Sequence, residues 1–154
     1  MVKYLGTAVT FEEIPDEVTL AIEITNCQGH CEGCHSPWLR EDIGEELTPE
    51  KLNEILDKND GVTCVCFMGE GNDREGLFEL VNHLIAYHPE LKRAIYTGTD
   101  NFEGFINVFD YVKYGPYKAE FGPLNKETTN QHLLKVDLRT CKYEDITYKF
   151  WKRQ

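Results

Sequence analysis

The sequence predicts an α/β fold whose mostly parallel sheet curls into an open, partial (β/α) barrel. Three observations carry that expectation: strand-like runs at 18–24, 62–67 and 92–96, segments of helical periodicity between them, and a length of 154 residues. Strand, helix, strand, helix, strand in succession implies right-handed parallel crossovers. The chain is too short for the eight such units of a closed barrel. One domain over 1–154 is expected, large enough to bury a core without disulfide staples.

Residues 2–11 are rich in β-forming side chains and suit pairing at a sheet edge or packing under the barrel, and 12–17 form a polar connection containing Pro15. Val18-Thr19-Leu20-Ala21-Ile22-Glu23-Ile24 reads as the first buried strand. Thr48-Pro49 opens a helix, with Thr48 as cap and Pro49 at the first helical position, where its missing N–H is not needed. Leu52, Ile55 and Leu56 share one face of it, and Asn59-Asp60-Gly61 ends it. Residues 62–67 are apolar on both faces, which suits a parallel strand covered by helices.

Residues 73–87 form the second helix, with Leu77, Leu80, Val81, Leu84 and Ile85 on its buried side and Pro89 beyond its end. Residues 92–96 are the third strand, closed by Thr97-Gly98. Phe102, Phe105, Ile106 and Val108 suggest a short helix, and 111–114 another strand leading into Gly115-Pro116. Residues 133–136 and 143–150 read as terminal strands. No internal repeat or linker interrupts the chain.

The formal net charge is -11, which argues against nucleic acid as the main partner, because phosphate binding needs a basic footprint. No apolar run is long enough to span a membrane. The first residues, MVKYLGTAVTFEEIPDE, carry neither a long apolar core nor a cleavage site, so a cytoplasmic location is expected. In that reducing compartment the six cysteines point to metal binding or catalysis rather than to a disulfide framework.

Three of the six sit together in Asn26-Cys27-Gln28-Gly29-His30-Cys31-Glu32-Gly33-Cys34-His35. Their C-x3-C-x2-C spacing, with a glycine in each gap, lets three thiolates converge on one small centre. The segment follows the first buried strand, at the carboxyl end where α/β folds place their ligands. Structural zinc sites usually close with four protein ligands, and no fourth cysteine is near. Iron–sulfur clusters are held by thiolates, and three cysteines on a cubane leave one iron open to a substrate. Cys64 and Cys66 share a face of their strand and read as buried core thiols, the rival being a second metal or redox pair.

C-x3-C-x2-C after a first strand resembles the cluster motif of the radical S-adenosylmethionine (SAM) enzymes. The form C-Q-G-H-C-E-G-C-H is similar to that of their smallest members, the activating proteins of anaerobic ribonucleotide reductases. Further likenesses follow in order: Met68-Gly69-Glu70, Tyr96-Thr97-Gly98, Asp110 with Gly115-Pro116-Tyr117, and Thr129-Asn130-Gln131. The family more often has two glycines before the acid and a tryptophan where Tyr96 stands.

The resemblance implies a barrel of the radical SAM type and a 4Fe-4S cluster on Cys27, Cys31 and Cys34, whose open iron chelates S-adenosyl-L-methionine. It implies one-electron cleavage of SAM to methionine and a 5′-deoxyadenosyl radical, which takes a hydrogen atom from a glycine of the partner, an anaerobic ribonucleotide reductase. A small reducing protein would supply the electron. SAM contacts are implied at Gly33, Cys34, His35, Gly69, Glu70 and Thr97, with Glu70 on the ammonium in a charge-assisted hydrogen bond. No side chain beyond the cluster ligands is given a catalytic step. Gly115-Pro116-Tyr117 and Thr129-Asn130-Gln131 would shape the mouth that admits the partner's loop.

Two rivals stand beside this reading. One is a radical SAM enzyme acting on another glycyl radical enzyme or on a small molecule. The other is a non-enzymatic zinc module in which His30 or His35 completes a Cys3His site.

Overall fold

The computed structural model describes residues 1–27 and 37–151. Its elements in chain order are β1 (Lys3–Thr10), β2 (Thr19–Ile24), a 3-10 turn (Pro37–Arg40), β3 (Glu45–Glu46), α1 (Pro49–Asp57), β4 (Cys64–Met68), α2 (Arg74–Tyr87), β5 (Lys92–Tyr96), β6 (Tyr111–Tyr114), β7 (His132–Asp137), β8 (Lys142–Asp145) and α3 (Tyr148–Trp151). All the strands join one sheet in the order β3-β1-β2-β4-β5-β6-β7-β8.

The centre of the sheet is parallel. β2 pairs with β4, β4 with β5 and β5 with β6, all in parallel register. α1 carries the crossover from β2 to β4, and α2 the one from β4 to β5. α1 begins as its sequence dictates: the Thr48 hydroxyl oxygen accepts the Lys51 N–H at 3.1 Å, and Pro49 follows the cap. α2 is capped by Asp73, whose carboxylate accepts the Gly76 N–H at 3.0 Å. Leu52, Ile55 and Leu56 of α1, with Leu77, Leu80, Val81 and Leu84 of α2, pack on Leu20, Ile22, Ile24, Val65, Phe67 and Ile95 of the sheet. Both helices therefore cover one face.

The flanks are antiparallel. β1 pairs with β2 and β3 on one side, β7 with β6 and β8 on the other. The expected mostly parallel, open partial (β/α) barrel of the radical SAM type is thereby corrected to a single mixed sheet with few helices. The physical reason lies in the connections. A parallel neighbour needs a long crossover, usually helical, whereas a short return gives an antiparallel one. Among the described residues only the connections into β4 and β5 hold a helix of more than one turn. β6 lies parallel to β5 after the turns of 97–110 and β7 antiparallel to β6 after 115–131, and β7 returns to β8 through a tight turn in which the Thr140 and Cys141 N–H groups both reach the Asp137 carbonyl.

Other departures are local. Residues 103–108 form successive turns rather than the expected short helix, with N–H bonds from Phe105 to Phe102 and from Val108 and Phe109 to Phe105. Ile85, expected on the buried side of α2, is 40% exposed. The terminal stretch 143–150 divides between β8, exposed along its length, and α3.

The face opposite the helices has its own core, built from Cys64, Cys66, Ala94, Tyr96, Tyr111 and Leu133 and roofed by Ile14 and Ile146. Burial pushes the Cys64 and Cys66 thiols and the Tyr96 and Tyr111 phenols upward. An unfolded chain releases these protons near the ordinary values of 9.0 and 10.0, while the folded chain keeps them. The unfolded state then binds fewer protons, so stability falls as pH rises through that range. Thermal unfolding should show a midpoint that drops between about pH 8 and pH 10.5, and a flat profile would contradict these burials.

Candidate functional site

β2, β4, β5 and β6 are parallel, so their carboxyl ends lie along one edge, at Ile24, Met68, Tyr96 and Tyr114. Each strand hands over there to one of the segments singled out from the sequence. The candidate site is that edge.

The cysteine segment leaves from β2 under tight control. The Thr25 hydroxyl donates to the Ile43 carbonyl at 2.8 Å and its N–H to the Lys3 carbonyl at 3.0 Å. Asn26 takes a left-handed conformation, φ 64°, which asparagine tolerates better than most residues. Its N–H donates to the Glu41 carbonyl, and the Cys27 N–H donates to the Leu39 carbonyl at 2.8 Å. The chain that departs at Cys27 thus returns to it at Leu39. Cys27 itself is half-buried.

β4 ends in Gly69-Glu70-Gly71, and here glycine is required. Gly69 and Gly71 have φ of 123° and 68°, values that side chains disfavour. A Cβ on Gly71 would also lie 3.2 Å from the Thr25 carbonyl oxygen and 3.1 Å from Ile24 Cγ2. The turn therefore packs its backbone directly against the end of β2, one residue short of Asn26-Cys27. That close approach seats the turn's backbone on the end of β2, while the Glu70 side chain reaches toward β5.

Glu70 is held at both carboxylate oxygens. Oε1 accepts from Arg74 Nη2 at 2.7 Å, and Oε2 accepts the Thr97 hydroxyl. The Glu70 side chain is 19% exposed. Thr97, at the end of β5, is buried. Its N–H donates to the Lys113 carbonyl of β6 at 2.8 Å, and its hydroxyl oxygen accepts the Thr99 N–H. Sequence reasoning named Glu70 and Thr97 separately, and the structure joins them. It did not name Arg74, the first residue of α2, which only the fold brings to the Glu70 carboxylate.

β6 ends in Gly115-Pro116, which is clasped by the strand that follows it. The Gln131 amide donates to the Gly115 carbonyl at 3.2 Å and the Asn130 amide to the Pro116 carbonyl at 3.0 Å. The Asn130 side-chain oxygen is buried with no hydrogen-bond partner among the described residues. Glu23, Met68, Tyr96 and Lys113 stand directly opposite one another across β2, β4, β5 and β6, so they form a row on the face away from the helices. The Lys113 ammonium lies 4.6 Å from the centre of the Tyr96 ring.

No protein-family model, curated protein or solved structure matches the chain.

Of the expected site residues, Cys27, Gly69, Glu70 and Thr97 are therefore brought to one edge. Cys31, Gly33, Cys34 and His35, together with His30, lie outside the described residues. Among the described residues no three His, Cys, Asp or Glu side chains gather as a metal site. No helix among them is long and apolar enough to cross a membrane. Of the C-x3-C-x2-C segment the described residues include Cys27, a half-buried thiol at this edge, the donor type that holds iron–sulfur clusters.

Cys64 and Cys66 belong to a different environment. Both are fully buried in the core opposite the helices, with Cys66 Sγ 3.6 Å from Met68 Sδ. Burial keeps them as neutral thiols, which are poor nucleophiles and poor ligands. Cys64→Ala is expected to cost on the order of 1 kcal/mol or somewhat more in stability, with metal content unchanged. Alkylation of the native protein, read by mass, should spare Cys64 and Cys66 while modifying exposed Cys141. Modification of Cys64 and Cys66 at the rate of Cys141 would contradict their placement in the core.

Proposed function

We propose that this chain is a radical SAM activase that cleaves S-adenosyl-L-methionine reductively at a 4Fe-4S cluster and generates a glycyl radical on an anaerobic ribonucleotide reductase. The observation that supports the reading is that the neighbouring parallel strands β2 and β4 run out, at the same edge, into the first cysteine of a C-x3-C-x2-C segment and into a carboxylate fixed at both oxygens. The reading does not depend on a barrel. It needs only two adjacent parallel strands whose ends bring the thiolates and the acid together.

Cys27, Cys31 and Cys34 would hold the cluster, which supplies the electron for breaking the carbon–sulfur bond of SAM. Glu70 accepts the ligand's ammonium, and Thr97 holds the carboxylate in place from β5. Gly69 lets the ligand's methionyl part approach the backbone. By the family resemblance, Gly33, Cys34 and His35 would be the residues at the adenine. Gly115-Pro116, tied down by Asn130 and Gln131, forms a firm rim against which the partner's glycine-bearing loop can rest. A small reducing protein delivers the electron, and a reducing cytoplasm suits the thiolates.

The test of the target is co-expression with an anaerobic ribonucleotide reductase under strict anaerobiosis. A stable complex and a SAM-dependent glycyl radical signal on the reductase are expected. Consumption of SAM without any radical on that partner would move the activity to another glycyl radical enzyme or to a small molecule.

A further inference from the structure

We propose that Asn53 of α1, with His83 and His88 at the end of α2, forms a binding site for a divalent transition-metal ion of the nickel or copper class. The site is separate from the strand-end edge. α2 starts at that edge with Arg74, and His83 lies about 13 Å further along the helix.

Two imidazoles converge there on one oxygen. Asn53 Oδ1 lies 2.8 Å from His83 Nε2 and 2.9 Å from His88 Nε2. A continuous helix would not bring these rings together, because residues five apart point to different faces. α2 ends at Tyr87, and His88 takes φ -136° as it leaves the helix, with its N–H on the Leu84 carbonyl at 2.8 Å. Its ring centre thereby comes to 5.9 Å from that of His83. The Tyr87 ring packs on His83 as well, with centres 4.9 Å apart. All three converging residues are half-buried, within reach of solvent.

The separations favour one coordination geometry. Two donors bound at right angles to an ion, each at about 2.05 Å, stand about 2.9 Å apart, whereas tetrahedral angles need about 3.3 Å. The observed 2.8 and 2.9 Å match the right-angled case, the tetragonal N,O arrangement of nickel and copper. As hydrogen bonds, each Nε2 carries its proton and donates to Oδ1. As ligands, each ring carries its proton on Nδ1 and turns the Nε2 lone pair to the ion. An amide oxygen is the third donor, so the site is not a gathering of three His, Cys, Asp or Glu side chains. Exposed Asp57 and Glu79 stand one turn from Asn53 and His83 on their helices, and the net charge of -11 draws cations. A bound ion would tie the two crossover helices together and stabilise the folded chain.

The test titrates Ni²⁺ by calorimetry into the full chain, with Cys27, Cys31 and Cys34 replaced by alanine and Cys141 alkylated so that these thiols do not compete. One ion per chain is expected, with a thermal midpoint that rises on its addition. His83→Gln and His88→Gln should each weaken binding about tenfold or more and lose that rise. Asn53→Asp keeps the shape and charges the oxygen, so it should bind Ni²⁺ more tightly than the parent chain, and it keeps the test open where a histidine variant fails to fold. No bound ion in the parent, or equal affinity in both histidine variants, overturns the site and leaves the three side chains as a hydrogen-bonded clasp between helices. Weaker binding in Asn53→Asp overturns the place of Asn53 among the ligands.

Discussion

Cys27→Ala is expected to leave anaerobically reconstituted protein without its iron, from about four atoms per chain to a trace, and without SAM cleavage. The structure explains why so small a change would act so locally. The segment is anchored by the Cys27 N–H on the Leu39 carbonyl and by the Asn26 N–H on the Glu41 carbonyl, and alanine keeps both. Cys27 is only half-buried and lies outside both core clusters. The metal-free stability should therefore move by no more than about 0.5 kcal/mol. Cys31→Ala and Cys34→Ala should give the same loss, because ligands that act as a unit fail together rather than additively. Full activity in any one of the three variants would remove that cysteine from the site.

Glu70→Gln is the second large effect. The substitution keeps the shape and removes the charge that accepts the ammonium, so SAM affinity should fall about ten- to hundredfold, the range for hydrogen bonds to charged groups. The Glu70 side chain is 19% exposed, and that partial screening favours the lower end. Iron content should not change, because Glu70 touches Arg74 and Thr97 rather than the segment that holds the cysteines. Calorimetric titration of the reconstituted variant checks both halves. An unchanged SAM affinity would take Glu70 out of the site, and a loss of iron would make it a cluster residue instead.

The parallel centre of the sheet was legible because its strands are marked twice, by unbroken apolar runs such as Cys64–Met68 and by the well-capped helices between them. What the sequence could not convey was pairing direction. β3 is two exposed glutamates and β8 four exposed residues, Lys142–Asp145, so neither shows an apolar pattern. β8 is turned back on β7 by a tight turn, and β3 pairs with β1, distant in the chain, so neither placement leaves a periodic signal. The segment 103–108 misled because Phe102, Phe105, Ile106 and Val108 are spaced like one face of a helix, yet they meet the core from successive turns.

The site was legible in its parts. Spacing singled out the three cysteines, of which Cys27 lies among the described residues, and the family resemblance singled out Glu70 and Thr97. Their junction was not visible, because it is made by parallel register: Met68 stands opposite Tyr96, which sets the next residues of the two strands, Gly69-Glu70 and Thr97, side by side. Arg74 went unseen because a basic residue in the first turn of a helix usually reads as solvated surface, and only the Phe105 ring beneath it and the Glu70 oxygen beside it set it apart.

The most direct measurement is iron and sulfide content together with electron paramagnetic resonance of anaerobically reconstituted protein, recorded before and after adding SAM. About four iron and four sulfide per chain, with a reduced-cluster signal that changes on SAM addition, is the expected result. Colourless protein holding one tightly bound zinc and no iron would contradict it and make the cysteine segment a zinc-binding module.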